Sequence, residues 1–304
     1  ADRPTPDSHS QALQGVAVEY MVDLCNTLDV DMWVCLPHLA DDDYVRHCAE
    51  LVDSRLKPDR KIYVEYSNEC WNGQFAQARY CREQGTRLQL SNNDYEAQLR
   101  FYAQRSTNIF ELWTAACDAN RRVVRVLATQ SANSWTGEVV LGWQDAAKQA
   151  DAVAIAPYFG NRWGSPKTAD MVAGMSVDDV IAALPEDLAA SRKNMRAYGE
   201  LARQHGLQLL AYEGGQHLVG HGGAENNERL TQLLQNVNRH PRMKDFYLQN
   251  LHDWQDAGGG LFCVFSSMSL PSKWGSWGLL EHTAQAPTSV PKYQAIREYL
   301  AAPR

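Results

Sequence analysis

The sequence contains no apolar run near the roughly 20 residues a membrane-spanning helix needs, so no membrane role is expected. It also has no excess of basic residues. Its 29 Lys and Arg stand against 36 Asp and Glu, a net charge of −7. A nucleic-acid partner would call for a basic face, so none is expected. The seven cysteines, at 25, 35, 48, 70, 81, 117 and 263, include no C-x-x-C pair of the kind that marks zinc or redox sites. An odd count leaves at least one thiol unpaired, and free cysteines pack as small core residues. No G-x-S-x-G is present, which argues against a serine hydrolase of that type. Gly258-Gly259-Gly260 is not followed by the Lys-Ser/Thr of a phosphate loop. Ala1–Ser10 is polar and Pro-rich rather than a signal peptide, as either a mature or a trimmed chain would be. A secreted or periplasmic bacterial location is the expectation.

What is present in quantity is aromatic and apolar. Apolar residues make up 44% of the chain, enough for a sizeable core, and there are 9 Trp and 13 Tyr. Trp71, Trp135, Trp163, Trp274 and Trp277 sit in stretches rich in Gly, Asn and Ser. Loop tryptophans are often plain packing. They are also what the apolar CH faces of a sugar ring stack on.

Apolar runs alternate with amphipathic ones. Strands are expected at Asp31–Pro37, Lys61–Tyr66, Arg122–Gln130, Asp151–Phe159, Leu207–Tyr212 and Gly260–Ser266. Helices are expected at Val16–Leu28, Tyr44–Leu56, Tyr95–Cys117, Glu138–Gln149, Val177–His205 and Asn226–Ala257, with Pro291–Ala301 closing the chain. Pro185 is expected to break the fifth of these, and Pro241 the sixth. The segment after Trp71 contains Gly and Gln and reads as a loop. Asp41-Asp42-Asp43 reads as an acidic helix start rather than a calcium loop.

Continuous apolar strands between helices predict a parallel sheet covered by helices. The fold class is therefore α/β, a (β/α)8 TIM-barrel-like fold, as a single domain over residues 1–304. Only about six βα units are legible, and two more do not fit before Asp31. The two sheet edges, Asp31–Pro37 and Gly260–Ser266, are apolar and without Lys. A homo-oligomer covering the gap between them is the expectation, a dimer or higher.

Two strands end in carboxylates. Tyr66-Ser67-Asn68-Glu69-Cys70-Trp71-Asn72 places Glu69 behind an amide, and Leu209-Leu210-Ala211-Tyr212-Glu213-Gly214-Gly215 places Glu213 before two glycines. Either alone reads as an ordinary surface Glu. Together, with two strands between them, they suggest glycosidic cleavage. That reaction needs one carboxyl to protonate the leaving oxygen and another to act at the anomeric carbon.

These motifs resemble clan A of the glycoside hydrolases, which includes the family 5 cellulases and mannanases. The clan carries Asn-Glu at the end of its fourth strand and a nucleophile Glu at the end of its seventh. The resemblance, over about residues 16–301, implies Glu69 as acid/base and Glu213 as nucleophile of a retaining hydrolase. It implies Asn68 on the sugar 2-hydroxyl, His38 after the third strand, Tyr158 at the sixth, and Trp274 or Trp277 after the eighth. The clan's first two strands, and an Arg near its nucleophile, have no counterpart here. An endo-acting β-glycanase, first of all on β-1,4-glucan, is what the resemblance implies, with a polysaccharide or oligosaccharide as partner and no cofactor. His217 and His221 are four residues apart among glycines and read as loop histidines rather than metal ligands. Two other readings stand beside this one: a sugar-binding protein that has lost catalysis, and a lyase or isomerase on the same barrel.

Overall fold

The computed structural model describes residues 3–12, 15–118 and 122–302. Six strands, all parallel where their pairing is recorded, follow chain order: β1 (Met32–Leu36), β2 (Ile62–Tyr66), β3 (Val123–Ala128), β4 (Ala152–Ile155), β5 (Gln208–Gly214) and β6 (Gly259–Val264). Helices alternate with them. They are α1 (Val18–Leu28), α2 (Asp42–Arg55), α3 (Ala76–Arg87), α4 (Asp94–Ala116), α5 (Ser134–Gly142), α6 (Ala146–Gln149), α7 (Ala169–Ala173), α8 (Val177–His205), α9 (Glu228–Arg239), α10 (Met243–Asp256) and α11 (Pro291–Ala301). This is a (β/α)8-type arrangement with six βα units in the chain. No helix among the described residues is long and apolar enough to cross a membrane.

The chain forms two compact units. The first takes Ala1–Gln130, Ser134–Ala154 and Leu201–Gln208, and the second takes Ser131–Asn133, Ile155–Glu200 and Leu209–Arg304.

In the first unit, alternate strand residues point to opposite faces. Met32, Val34 and Leu36 of β1 and Ile62, Val64 and Tyr66 of β2 are all buried. Tyr66 stacks on Tyr102 of α4 at 6.1 Å, which makes this the helix-covered face. The Tyr102 hydroxyl also fixes β3, accepting from the Ala128 N–H at 2.7 Å. The other face carries Trp33 and Tyr63, stacked at 5.3 Å, and the buried carboxylate Glu65, which accepts from the Trp33 indole at 2.9 Å. Asp41 caps α2 by accepting from the Tyr44 N–H at 2.8 Å, so the acidic run starts a helix.

Two sequence expectations fail here for identifiable reasons. The stretch after Trp71 was expected to be a loop, yet Ala76–Arg87 is helix α3. Its Gly85 is a contact point rather than a breaker. A Cβ there would lie 2.1 Å from the Ala97 carbonyl oxygen of α4, so only glycine lets the two backbones approach. Glu138–Gln149 was expected as one helix, and instead α5 starts earlier and α6 is a single separate turn.

In the second unit β5 pairs with β6 through Leu209 with Gly259, Ala211 with Phe262 and Gly214 with Val264. The core gathers Phe159, Leu184, Leu218, Leu234, Phe246 and Tyr247. The break expected at Pro185 is absent: α8 continues through it. The break near Pro241 is present and separates α9 from α10. The strand expected to reach Phe159 stops at Ile155, and Phe159 instead bridges to Gln216.

Candidate active site

Glu69 belongs to the first unit and stands just beyond β2. The strand ladder carries on through Ser67, whose N–H bonds the Leu36 carbonyl at 2.7 Å. The chain then bends sharply, with Ser67 at φ 58° and Glu69 at φ 48°. Left-handed backbone disfavours residues with a Cβ by about 1–2 kcal/mol each, so something must hold it. Side-chain amides do. Gln77 of α3 donates to the Asn68 carbonyl at 2.7 Å. Gln98 of α4, itself buried, donates to the Cys70 carbonyl at 2.6 Å. Asn72 donates to Glu69 Oε2 at 2.9 Å. The Cys70 thiol is pushed well up by its hydrogen bond with Cys81 and by burial.

Around this turn the other residues expected at the site take different positions. Trp71 follows Glu69 directly, and its indole N–H is buried without a hydrogen-bond partner among the described residues. His38, after β1, packs edge-on against Tyr80 of α3 at 5.5 Å, and burial holds its pKa below the usual histidine range. It lines a cleft with Tyr66, Phe101 and Arg105. Trp135 starts α5, 39% exposed, with its ring 5.9 Å from Tyr95.

Glu213 belongs to the second unit, next to last in β5. The two glycines after it have steric causes. A Cβ on Gly214 would meet the Phe262 ring at 2.5 Å, and one on Gly215, at φ 137°, would meet the Tyr247 hydroxyl at 2.9 Å. Beyond them, the Phe159 N–H donates to the Gly215 carbonyl at 3.0 Å and the Phe159 carbonyl accepts from the His217 N–H at 2.7 Å.

Beside this segment lies an aromatic cluster. Trp277 packs 5.8 Å from Tyr158, 5.3 Å from His217 and 5.7 Å from Phe265. Burial lowers the His217 pKa to about 4, so its ring is neutral at pH 7. Its Nδ1 accepts from the Asn161 amide at 3.2 Å, which leaves the proton on Nε2. The loop that carries Trp277 is tied down at Ser276, whose carbonyl accepts from Gln216 at 3.0 Å and from buried Lys292 at 2.7 Å. Burial lowers the Lys292 pKa to about 8.

Two tryptophans expected to bind sugar differ from the rest. Trp274 is 62% exposed, with the Lys273 ammonium 4.8 Å from its ring centre. Trp163 is 6% exposed, and its indole donates to Asp187 at 3.0 Å. It therefore packs in the core and offers no free face. Its flanking Gly and Pro gave it the look of a loop residue. Sequence reasoning missed Phe265, which looked like the end of a strand, and Asn72, whose role rests on a turn no periodicity announces. It also missed Glu65, which reads as one more strand residue. Among the described residues no group of three His, Cys, Asp or Glu side chains could hold a metal ion.

No family model matches the chain, and no curated protein matches it. Solved structures do. A double mutant of the Cellulomonas fimi endo-beta-1,4-mannanase aligns with a TM-score of 0.51 at 11% identity, over 94% of this chain and 58% of that one. A second structure, of the modular endo-beta-1,4-mannanase from the same organism, aligns with the same values. It is described as explaining the product specificity of glycoside hydrolase family 26 mannanases. The likeness is one of fold. This chain spans 58% of the length of the mannanase it matches.

Proposed function

We propose that the chain carries the catalytic carboxylates of a retaining glycoside hydrolase acting on a β-1,4-linked polysaccharide. The observation that carries the reading is the placement of Glu69: a carboxylate just past a strand end, on a turn held in unfavourable backbone geometry by three side-chain amides. Such stored strain clusters where function needs a fixed group. Glu213, at the end of β5, is the partner carboxylate, and barrel enzymes build their sites at strand ends. Glu213 attacks the anomeric carbon and forms a C–O bond as the bond to the leaving oxygen breaks. Glu69 supplies the proton to that oxygen. Water then displaces Glu213, with Glu69 taking its proton. The mechanism requires the two carboxyls to approach to about 5–5.5 Å.

Glucan, which the sequence resemblance suggests, and mannan, named in the two C. fimi structures, differ in the configuration at C2. The test is reducing-end release from a panel of β-1,4-glucans and β-1,4-mannans. Turnover by the wild type and none by Glu213→Gln is expected. Glu69→Ala should spare activated aryl glycosides, which need little protonation, far more than polysaccharide. Glycan binding by the wild type with no product would instead make the chain a sugar-binding protein. Wild-type activity in Glu213→Gln would reject the assignment.

We also infer a homo-oligomer. Val16, Tyr20, Leu24 and Leu28 are exposed at four-residue intervals on and just before α1, and β1 is an edge strand. Light scattering at low micromolar concentration should give at least twice 34.2 kDa, and a monomer would reject this.

A further inference from the structure

The second unit holds a cavity of about 180 Å³ between α9, the loop after β6 and the start of α11. Lys292, the second residue of α11, lines it and is 5% exposed. Its ammonium donates to the Ser276 carbonyl at 2.7 Å and to Asn238 Oδ1 at 3.5 Å. The Asn238 amide is held that way round, because its Nδ2 donates to the Leu234 carbonyl at 3.0 Å. Both acceptors are neutral, and an ammonium has a third N–H to give. A buried charge ordinarily has an opposite charge beside it. Glu281, which also lines the cavity, forms a two-point ion pair with Arg239 at 2.7 and 3.2 Å. That pair cancels itself and leaves Lys292 as one uncompensated positive charge. No side chain caps the start of α11, whose positive end adds to the same field.

We propose that this cavity is a binding site for a small monocarboxylate, with the Lys292 ammonium as its charge partner. The inference does not depend on the glycosidase reading. Two further lining side chains have donors left over. Gln285 Oε1 accepts from the Glu281 N–H at 2.7 Å, which leaves its amide NH2 to donate. Ser269 Oγ accepts from the Gly278 N–H at 2.8 Å, which leaves its O–H to donate. Neither donor has an acceptor among the described residues. Surplus donors around one spare positive charge match a carboxylate, whose two oxygens only accept. A phosphate group carries about −1.5 to −2 at pH 7, and would leave negative charge next to Glu281. Pro271, Leu279 and Val290 supply an apolar wall for a short tail. A cavity of about 150 Å³ takes benzene, so a carboxylate of about six non-hydrogen atoms, such as butyrate, fits here.

The site joins three elements. Ser269 and Ser276 belong to the loop after β6, Asn238 to α9 and Lys292 to α11. The Ser276 carbonyl that Lys292 holds also accepts from Gln216, and Trp277 follows it directly. A carboxylate on Lys292 therefore steadies the base of the loop whose Trp277 ring packs on Tyr158 and His217.

Calorimetric titration of the full chain with sodium butyrate at pH 7, against matched chloride, tests the site. Saturable binding with a millimolar dissociation constant is expected, and a Tm that rises with butyrate concentration. Butyramide, which has the same shape without the charge, should not bind, and inorganic phosphate should bind more weakly than butyrate. Lys292→Met keeps an apolar stem, removes the ammonium and should weaken butyrate binding by more than about 10-fold. Lys148→Met, at an exposed position in the first unit, should leave it unchanged. Burial lowers the Lys292 pKa to about 8, with Glu281 acting to raise it and Arg239 to lower it. The charged fraction falls above that value, so affinity should drop by about 10-fold between pH 7 and pH 9. The butyramide and pH 9 titrations use the wild type alone and decide the question even if Lys292→Met does not fold. No saturable binding of butyrate overturns the proposal. So does equal binding of butyramide or phosphate, or binding undiminished in Lys292→Met or at pH 9.

Discussion

Glu69 stands on a turn bent into left-handed backbone at two non-glycine residues and held there by polar side chains. Glu213 stands near the end of β5, where the register with β6 shifts between Ala211 and Gly214, and the chain after it is confined by an aromatic ring and a tyrosine hydroxyl where side chains of Gly214 and Gly215 would be. The backbone next to each carboxylate shows a different kind of constraint, hydrogen bonds at the Glu69 turn and close steric approach after Glu213. Hydrogen bonds are directional and fix the orientation of a group as well as its position. Close steric approach acts on position alone. On the proposed reading, the directional support lies beside the residue that gives and takes a proton.

The contrast can be broken most forcefully at Gly215. Gly215→Ala combines a φ of 137° with a Cβ placed 2.9 Å from the Tyr247 hydroxyl, inside the core. A loss of about 2–3 kcal/mol is expected, read as a fall in Tm. Asn72→Ala, at a partly exposed turn, should leave Tm nearly unchanged. Equal losses in the two variants would mean both regions depend on packing alone.

The next effect is a pH dependence peculiar to the second region. His217 has a folded pKa of about 4 against about 6.5 when unfolded. Between those values the unfolded chain binds a proton that the folded chain does not, so stability rises with pH through the window. It should be lost as pH falls from about 6.5 to about 4, by roughly 1–3 kcal/mol for a ring that is not fully enclosed. Urea unfolding at several pH values measures it. His217→Gln should flatten that part of the curve, and an unchanged slope would count against the buried neutral ring.

The smallest effect separates the two tryptophans of the last loop. Trp274→Ala removes a mostly exposed ring, so stability should stay within about 0.5 kcal/mol, while glycan binding weakens by about 1 kcal/mol. Trp277→Ala dismantles the cluster with Tyr158, His217 and Phe265 and should lower both. Calorimetric titration with oligosaccharide beside a thermal melt tells them apart.

Much of the fold was legible because its signals are local. Asp31–Pro37 contains β1, Pro291–Ala301 is α11 to the residue, and Pro241 does separate two helices. The misses are tertiary. The segment after Trp71 read as a loop because the reason for its Gly85, the Ala97 carbonyl, lies on another helix. Pro185 looked like a break, yet helix α8 continues through it. Trp163 looked exposed because nothing local announces Asp187 as the partner of its indole. Both carboxylates were legible as strand-end residues, but the amides holding Glu69 were not. Two of them, Gln77 and Gln98, arrive from α3 and α4, and α3 itself went unread.

The crossing at Gly85 has one more consequence. Gln77 and Gln98 sit on helices that touch backbone to backbone, so they behave as two fingers of one hand rather than as independent props. The atoms a side chain at position 85 would strike include the Gln98 backbone nitrogen, at 3.1 Å. Any methyl group added there would therefore be felt as a misalignment at the Glu69 turn. Accuracy at the turn is inherited from the tolerance of a distant joint.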